Sequence, residues 1–232
     1  VQLPLLGILV VLSVPALSAG LLEAFHRASH GRSPGPGVLF VPLLSARHLG
    51  RFFATGGLLI LVSFLCVSII LGSTLEVDEA LLLRLQQGDA TALEEIDPLF
   101  MTRLLMAFAV SLAIGGTLTF FSVPLVWFRD LKLGASLGRG LRALAANWKP
   151  MLVLGLALFV FALPMFLVMV LLMQLAAWGP VGGAIGMGAM MVILLLFQLL
   201  LFGTQYCSFR DIFAMERPVP DEPPPDDGQL LA

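Results

Sequence analysis

The chain has 232 residues, of which 59% are hydrophobic and only 12% are charged. Soluble domains carry about a quarter charged residues, and a net charge of −2 offers no basic surface for nucleic acid. The composition therefore excludes an ordinary soluble domain and a nucleic-acid-binding protein, and it indicates a membrane protein.

Long stretches without Asp, Glu, Lys or Arg account for this composition. Four of them, each at least 22 residues long, cover residues 52–73, 104–128, 151–178 and 181–209. A bilayer core about 30 Å thick is crossed by roughly 20 helical residues, and a segment in lipid must satisfy its own backbone hydrogen bonds. We therefore predict an all-α, polytopic transmembrane helical bundle. Its five spans cover about 1–22, 52–72, 104–128, 151–178 and 181–206.

The first span contains Pro4 and Pro15 and begins with the chain at Val1. A signal peptide is the alternative, because Ala16 and Ser18 are small, but no basic residue precedes the apolar run. A kinked transmembrane helix fits the sequence better.

Residues 23–51 form the first polar stretch, with four arginines against the single acid Glu23. A Pro- and Gly-rich turn at 33–37 divides it, and residues 42–51 are predicted to form an amphipathic interfacial helix. His26 and His30 are spaced to share one helix face, where with Glu23 they could approach a divalent metal. The alternative, which we favour, is that both histidines are solvated or contact lipid headgroups.

Residues 74–103 form an acidic second stretch, which we predict to be an outer loop. Thr91 and Glu94 are spaced as a capping box. Asp97 followed by Pro98 is typical of an N-cap and a first helical turn, so the next helix is predicted to begin there.

Residues 129–150 hold five basic residues and one acid, Asp130. Leucines recur at three or four residues along this stretch and lead to Trp148, while Arg139 and Arg142 lie off that stripe. This pattern predicts an amphipathic helix over about 132–148, lying on the membrane surface. Arg139, Arg142, Trp148 and Lys149 are its predicted contacts with lipid or a partner.

Small residues four apart let helix backbones approach closely. The pairs are Ser111 with Gly115, Gly179 with Gly183, Gly182 with Gly186, and Ala184 with Gly188. They could pack within the chain or against a partner, either another membrane protein or a second copy.

The last span ends in an interfacial sequence that contains Tyr206, Arg210 and Asp211. We interpret it as a cytoplasmic anchor whose arginine can reach a lipid phosphate or a loop carboxylate. The acidic, Pro-rich residues 214–232 cannot bury enough apolar surface to fold alone and are predicted to be disordered.

Lysine and arginine on short loops favour the cytoplasm. The stretches 23–51 and 129–150 carry four and five of them, the stretch 74–103 carries two, and the turn at Gly179 carries none. The stretches 23–51 and 129–150 and the C-terminus are therefore predicted to be cytoplasmic, and the stretch 74–103 and the turn at Gly179 are predicted to be outside. Val1 then lies outside, so we expect a further helix before it and six in the full-length protein.

No acid or base lies deep in a predicted span, where ionisable residues usually mark function. We therefore expect no cofactor and no catalysis, and favour an accessory, scaffold or assembly subunit that contacts membrane lipids and a membrane partner. A permease for a lipid or apolar solute is the alternative, because prolines in the spans allow broken helices. A lipid-acting enzyme would need His26, His30, Glu23, Arg210 and Asp211 to converge.

Three stretches resemble a family of uncharacterised multi-pass inner-membrane proteins of proteobacteria. They are residues 15–22 leading into Arg27 and Gly31, the pair Asn147-Trp148, and the sequence Tyr206-x-x-Phe209-Arg210-Asp211-Ile212-Phe213. The resemblance implies a bacterial inner-membrane protein of six helices and supplies no established activity.

Overall fold

The computed structural model describes residues 2–72, 98–175 and 179–213, and these are helical with no strand among them. Five helices in this part of the chain are long and apolar enough to cross a bilayer. The predicted all-α class with five such helices is confirmed, and it is consistent with a multi-pass integral membrane protein. The elements are α1 (Gln2–Ser29), a 3₁₀ helix (Pro36–Phe40), α2 (Val41–Leu44), α3 (Ala46–Leu71), α4 (Pro98–Arg129), α5 (Leu133–Ala146), α6 (Trp148–Leu175) and α7 (Pro180–Ile212).

Helix ends differ from the predicted spans in ways that matter for the site. Helix α1 continues to Ser29, so His26 lies inside a membrane-length helix. The stretch 42–51 is not one helix, because it is divided at Ser45 between the single turn α2 and the start of α3. Helix α4 is described from Pro98 onward, directly after the gap at residues 73–97, so the predicted helix start with Asp97 as its N-cap stays a prediction.

Helix α5 occupies most of the predicted range 132–148. Other predicted features lie outside the described residues: the loop over 74–97 with its capping box and Asp97, the turn residue Trp178, and the tail 214–232.

The chain divides into two compact units, and the first contains residues 1–17 and 42–141. Helices α3 and α4 pair in antiparallel fashion, since Ser63 meets Ser111 with hydroxyl oxygens 2.6 Å apart while Leu59 lies against Gly115. Gly56 of α3 lies against the backbone of Leu12 in α1. Small residues therefore let these helices approach closely.

The second unit contains residues 18–41 and 142–232. Gly20 of α1 lies against the backbone of Leu39 in the 3₁₀ helix, and Gly186 of α7 lies against the carbonyl of Leu172 in α6. No residue of α6, which is described throughout, is buried. The second unit therefore carries a long apolar helix that has no buried residue.

Helix α5 packs on α4 through small residues and not through its leucine stripe. Its buried residues are Ser136 and Gly140, and a side chain at Gly140 would meet Phe121 Cβ at 3.2 Å. Leu141, by contrast, is 42% exposed. Small residues thus pack α5 against the end of α4, while the other leucines of the stripe, Leu133, Leu137 and Leu144, are half-buried.

Candidate functional site

The first candidate site in the protein is a polar cluster around Asp130, directly after the end of α4. Asp130 has a φ of 53°, a left-handed conformation that aspartate tolerates better than most residues. Arg51 Nη1 donates to Asp130 Oδ1 at 2.7 Å, to its carbonyl at 3.0 Å and to the carbonyl of Leu131 at 3.3 Å. Arg51 therefore binds both the carboxylate and the exposed carbonyl end of the helix, where a cation is favourable.

Two further side chains from the start of α3 complete this cluster. Arg47 pairs with Asp130 Oδ2, and His48 Nε2 lies 3.1 Å from Asp130 Oδ1. Ser45 Oγ lies 2.9 Å from His48 Nδ1, and the His48 ring meets Trp127 edge to face with centroids 5.1 Å apart. The cluster closes one end of the α3–α4 pair, and it puts residues 46–51 and 129–131 on the same side of that pair.

The electrostatics of the cluster favour an ionised Asp130. The hydrogen bond from Arg51 and the positive charges of Arg47 and Arg51 hold the pKa of the Asp130 carboxyl below its usual value, although partial burial opposes them. The arrangement binds one anion with an excess of cations.

A second candidate site surrounds the buried side chain of Tyr206 in α7. The Tyr206 hydroxyl lies 3.1 Å from His26 Nδ1 and 3.0 Å from Ser29 Oγ, and its ring stacks with that of Phe25 at 6.4 Å between centroids. Gly203, one turn earlier, lies against the Phe25 ring. The end of α1 and the end of α7 are therefore joined by hydrogen bonds as well as by aromatic contacts.

The two histidines proposed as metal ligands do lie on one face of α1, with ring centroids 4.4 Å apart. His30 Nδ1 lies 2.8 Å from the carbonyl oxygen of His26, and Glu23 accepts a hydrogen bond from Arg27 Nε at 2.8 Å. Within the described residues, no three His, Cys, Asp or Glu side chains are grouped to hold a metal ion. Metal binding by this pair stays the alternative that the sequence does not favour.

The interfacial residues at the end of α7 differ in how deeply they are buried. Tyr206 and Phe209 are buried, whereas Arg210 Nε and Asp211 Oδ1 pair at 3.5 Å nearer the surface. Of the residues that the enzyme hypothesis needs together, the structure brings His26 to His30, and Arg210 to Asp211.

The interfacial residues on α5 and α6 are all exposed: Arg139, Arg142, Trp148 and Lys149. Lys149 Nζ lies 5.7 Å from the centroid of the Trp148 ring. Their contact with lipid headgroups or a partner stays a prediction.

The predicted packing residues fall into two groups. Ser111, Gly115 and Gly186 contact another helix of the chain. Gly188 has open space around the position that a Cβ would take, and Gly179 has a φ of 95° and precedes the first residue of α7. Gly182 and Gly183 are half-buried. Some of the predicted small residues therefore contact another helix of the chain, whereas Gly179 and Gly188 have no neighbouring atom where a Cβ would lie.

Sequence reasoning missed the close packing at Gly20, Gly56 and Gly140. Two of them carried the signal already applied elsewhere, because Ala16 precedes Gly20 by four residues and Ser136 precedes Gly140 by four. Gly56 lacked such a partner in the pattern, and only its position opposite Leu12 reveals its role.

A cavity of about 500 Å³ opens between the start of α6 and the end of α7. Its polar lining comes from Asn147, Ser208 and Asp211. Its apolar lining comes from Pro150, Met151, Leu154 and Ile212.

Comparison with known proteins gives no further guide to these sites. No protein-family model matches the chain, and no curated protein or solved structure shows significant similarity to it.

Proposed function

We propose that this protein is a non-catalytic integral membrane subunit that acts as an accessory, scaffold or assembly component by packing against a membrane partner. The observation that carries the proposal is the exposure of the α6–α7 pair. No residue of α6 is buried, and the buried described residues of α7 are Gly186, Gln205, Tyr206 and Phe209. Three of these lie in the last third of the helix, so its first half presents an open surface.

One face of α7 supports a partner helix in particular. Gly186 faces α6, and positions two residues away lie about 200° around a helix. Ala184 and Gly188 are therefore on the opposite face, where both are exposed. A second helix can approach closely across such a small-xxx-small pair.

The permease alternative receives less support. It rests on prolines that could break the spans, but Pro15, Pro124 and Pro164 lie inside helices that continue past them. Within the Asp130 cluster, and separately within the Tyr206 cluster, the polar side chains are hydrogen-bonded to other groups of the same cluster. This also favours a structural role.

The proposal is tested by replacing Gly188 with isoleucine and recovering the protein gently from its own membrane after cross-linking. We expect wild type to bring down a stoichiometric membrane partner, and Gly188→Ile to lose most of it because the branched side chain blocks close approach. Gly116→Ile is the matched control, since Gly116 in α4 also has open space around it. Wild-type protein recovered alone, or equal recovery of partner by both variants, would contradict the proposal.

We further propose that the membrane is the bacterial cytoplasmic membrane and that the Asp130 end of α3–α4 is inside. Arg47, Arg51 and Lys132 supply the positive charge that favours this side. A C-terminal fluorescent protein fusion is then expected to fluoresce, and a C-terminal alkaline phosphatase fusion to be inactive. The reverse pattern would place the C-terminus outside.

A further inference from the structure

The cavity between α6 and α7 is lined by one face of each helix. On α6 and the residue before it, the lining residues Asn147, Pro150, Met151 and Leu154 follow a spacing of three or four residues. On α7 the residues Ser208, Asp211 and Ile212 do the same. Both sets belong to the second unit, so the cavity is built from a single antiparallel helix pair.

Polarity changes along this cavity. Asn147 and Asp211 lie at the ends of the two helices, while Leu154 lies seven residues further along α6, about 10 Å deeper by helical rise. Asn147 Nδ2 donates one hydrogen bond to the carbonyl of Ala143 at 2.8 Å, which fixes the orientation of this amide at the edge of the cavity. A cavity that is polar at the helix ends and apolar further in fits an amphiphile.

The charges at the polar end select the headgroup. Asp211 contributes a carboxylate to the lining, and Ser208 contributes a hydroxyl. Arg210 Nε pairs with Asp211 Oδ1 at 3.5 Å, so a cation lies beside the carboxylate at this end of the cavity. A ligand with an ammonium group for Asp211 and a phosphate for Arg210 matches this arrangement.

We propose that the cavity binds a phospholipid whose headgroup carries a primary ammonium, as in phosphatidylethanolamine. The ammonium donates hydrogen bonds to the Asp211 carboxylate, and the upper acyl chain lies along Met151 and Leu154. A choline headgroup has no N–H donor, and a glycerol headgroup has no positive charge. The site should therefore discriminate among three lipids that share the same acyl chains.

The test is native mass spectrometry of the full chain in detergent with equimolar phosphatidylethanolamine, phosphatidylcholine and phosphatidylglycerol of identical acyl composition. Wild type is expected to retain phosphatidylethanolamine about tenfold over the other two, the ratio that one charge-assisted hydrogen bond supplies. Equal retention of all three lipids by wild type, or preference for phosphatidylglycerol, would overturn the proposal without any variant.

Two variants then locate the site. Asp211→Asn is expected to lower phosphatidylethanolamine retention about tenfold and remove the preference, whereas Glu23→Gln removes the same charge elsewhere in the unit and should leave it unchanged. Leu154→Trp fills the apolar end and should lower retention of all three lipids. Unchanged preference in Asp211→Asn would place the lipid elsewhere on the protein.

Discussion

Alanine at Gly20 is expected to destabilise the protein by about 1–3 kcal/mol or more, the range for overpacking a tightly filled site. A Cβ at this position would lie only 2.7 Å from the Cα and the carbonyl carbon of Leu39. These are backbone atoms, so no rotamer change can relieve the clash, and the 3₁₀ helix must move away from α1. Unfolding of the purified protein in a denaturing detergent titration measures the loss.

Adjacent glycines in α3 provide the matched comparison. Gly56 lies against the Leu12 backbone, with the Cβ position 2.7 Å from the Leu12 Cα, whereas Gly57 has open space. Gly56→Ala should therefore destabilise the protein as Gly20→Ala does. Gly57→Ala should be neutral or stabilising by up to about 1 kcal/mol, because alanine is the better helix former. Equal effects at Gly56 and Gly57 would show that backbone contact does not govern this unit.

Arg51→Ala is expected to lower the thermal midpoint by about 4 °C or more, and more than Arg47→Ala. The Arg51 guanidinium donates hydrogen bonds to the Asp130 carboxylate and to two backbone carbonyls. The Arg51 side chain is 25% exposed, whereas the Arg47 side chain is 69% exposed. Arg51→Lys keeps the charge and loses the planar fork, so it should fall between wild type and alanine. Equal midpoints for the Arg47 and Arg51 variants would contradict this assignment.

The same cluster predicts a pH dependence with a definite sign. Because the pKa of Asp130 is lowered in the folded protein, its ionised form stabilises the fold fully above the ordinary carboxyl pKa of 3.8. This stabilisation is lost as the pH falls below 3.8 through the lowered pKa. The midpoint difference between wild type and Asp130→Asn should thus be constant near neutral pH and shrink in acid. A difference that grows on acidification would reverse the sign and refute the assignment.

The parts of this fold that follow from local chemistry were predictable from the sequence. Charge-free runs locate the five long helices. Long-range pairing was not predictable, because Arg51 and Asp130 are 79 residues apart and His26 and Tyr206 are 180 apart. Nothing in the local sequence of either partner specifies the other. In helix α5 the leucine stripe indicates an amphipathic helix, but nothing in that stripe indicates that Ser136 and Gly140 form the face packed on α4.

The exposure of α6 has a consequence for how its sequence can vary. A side chain that touches only lipid is constrained by hydropathy and length, and this helix has a mean hydropathy of 2.9 in its most apolar window. Leu156, Phe159 and Leu163, each more than half exposed, can therefore exchange among apolar residues with little cost to the fold. Gly20 and Gly56 tolerate no such exchange. A saturation mutagenesis profile of this protein would thus be permissive along most of α6 and restrictive at a few glycines of α1 and α3, and any additional restricted stripe on α6 or α7 would mark where a partner binds.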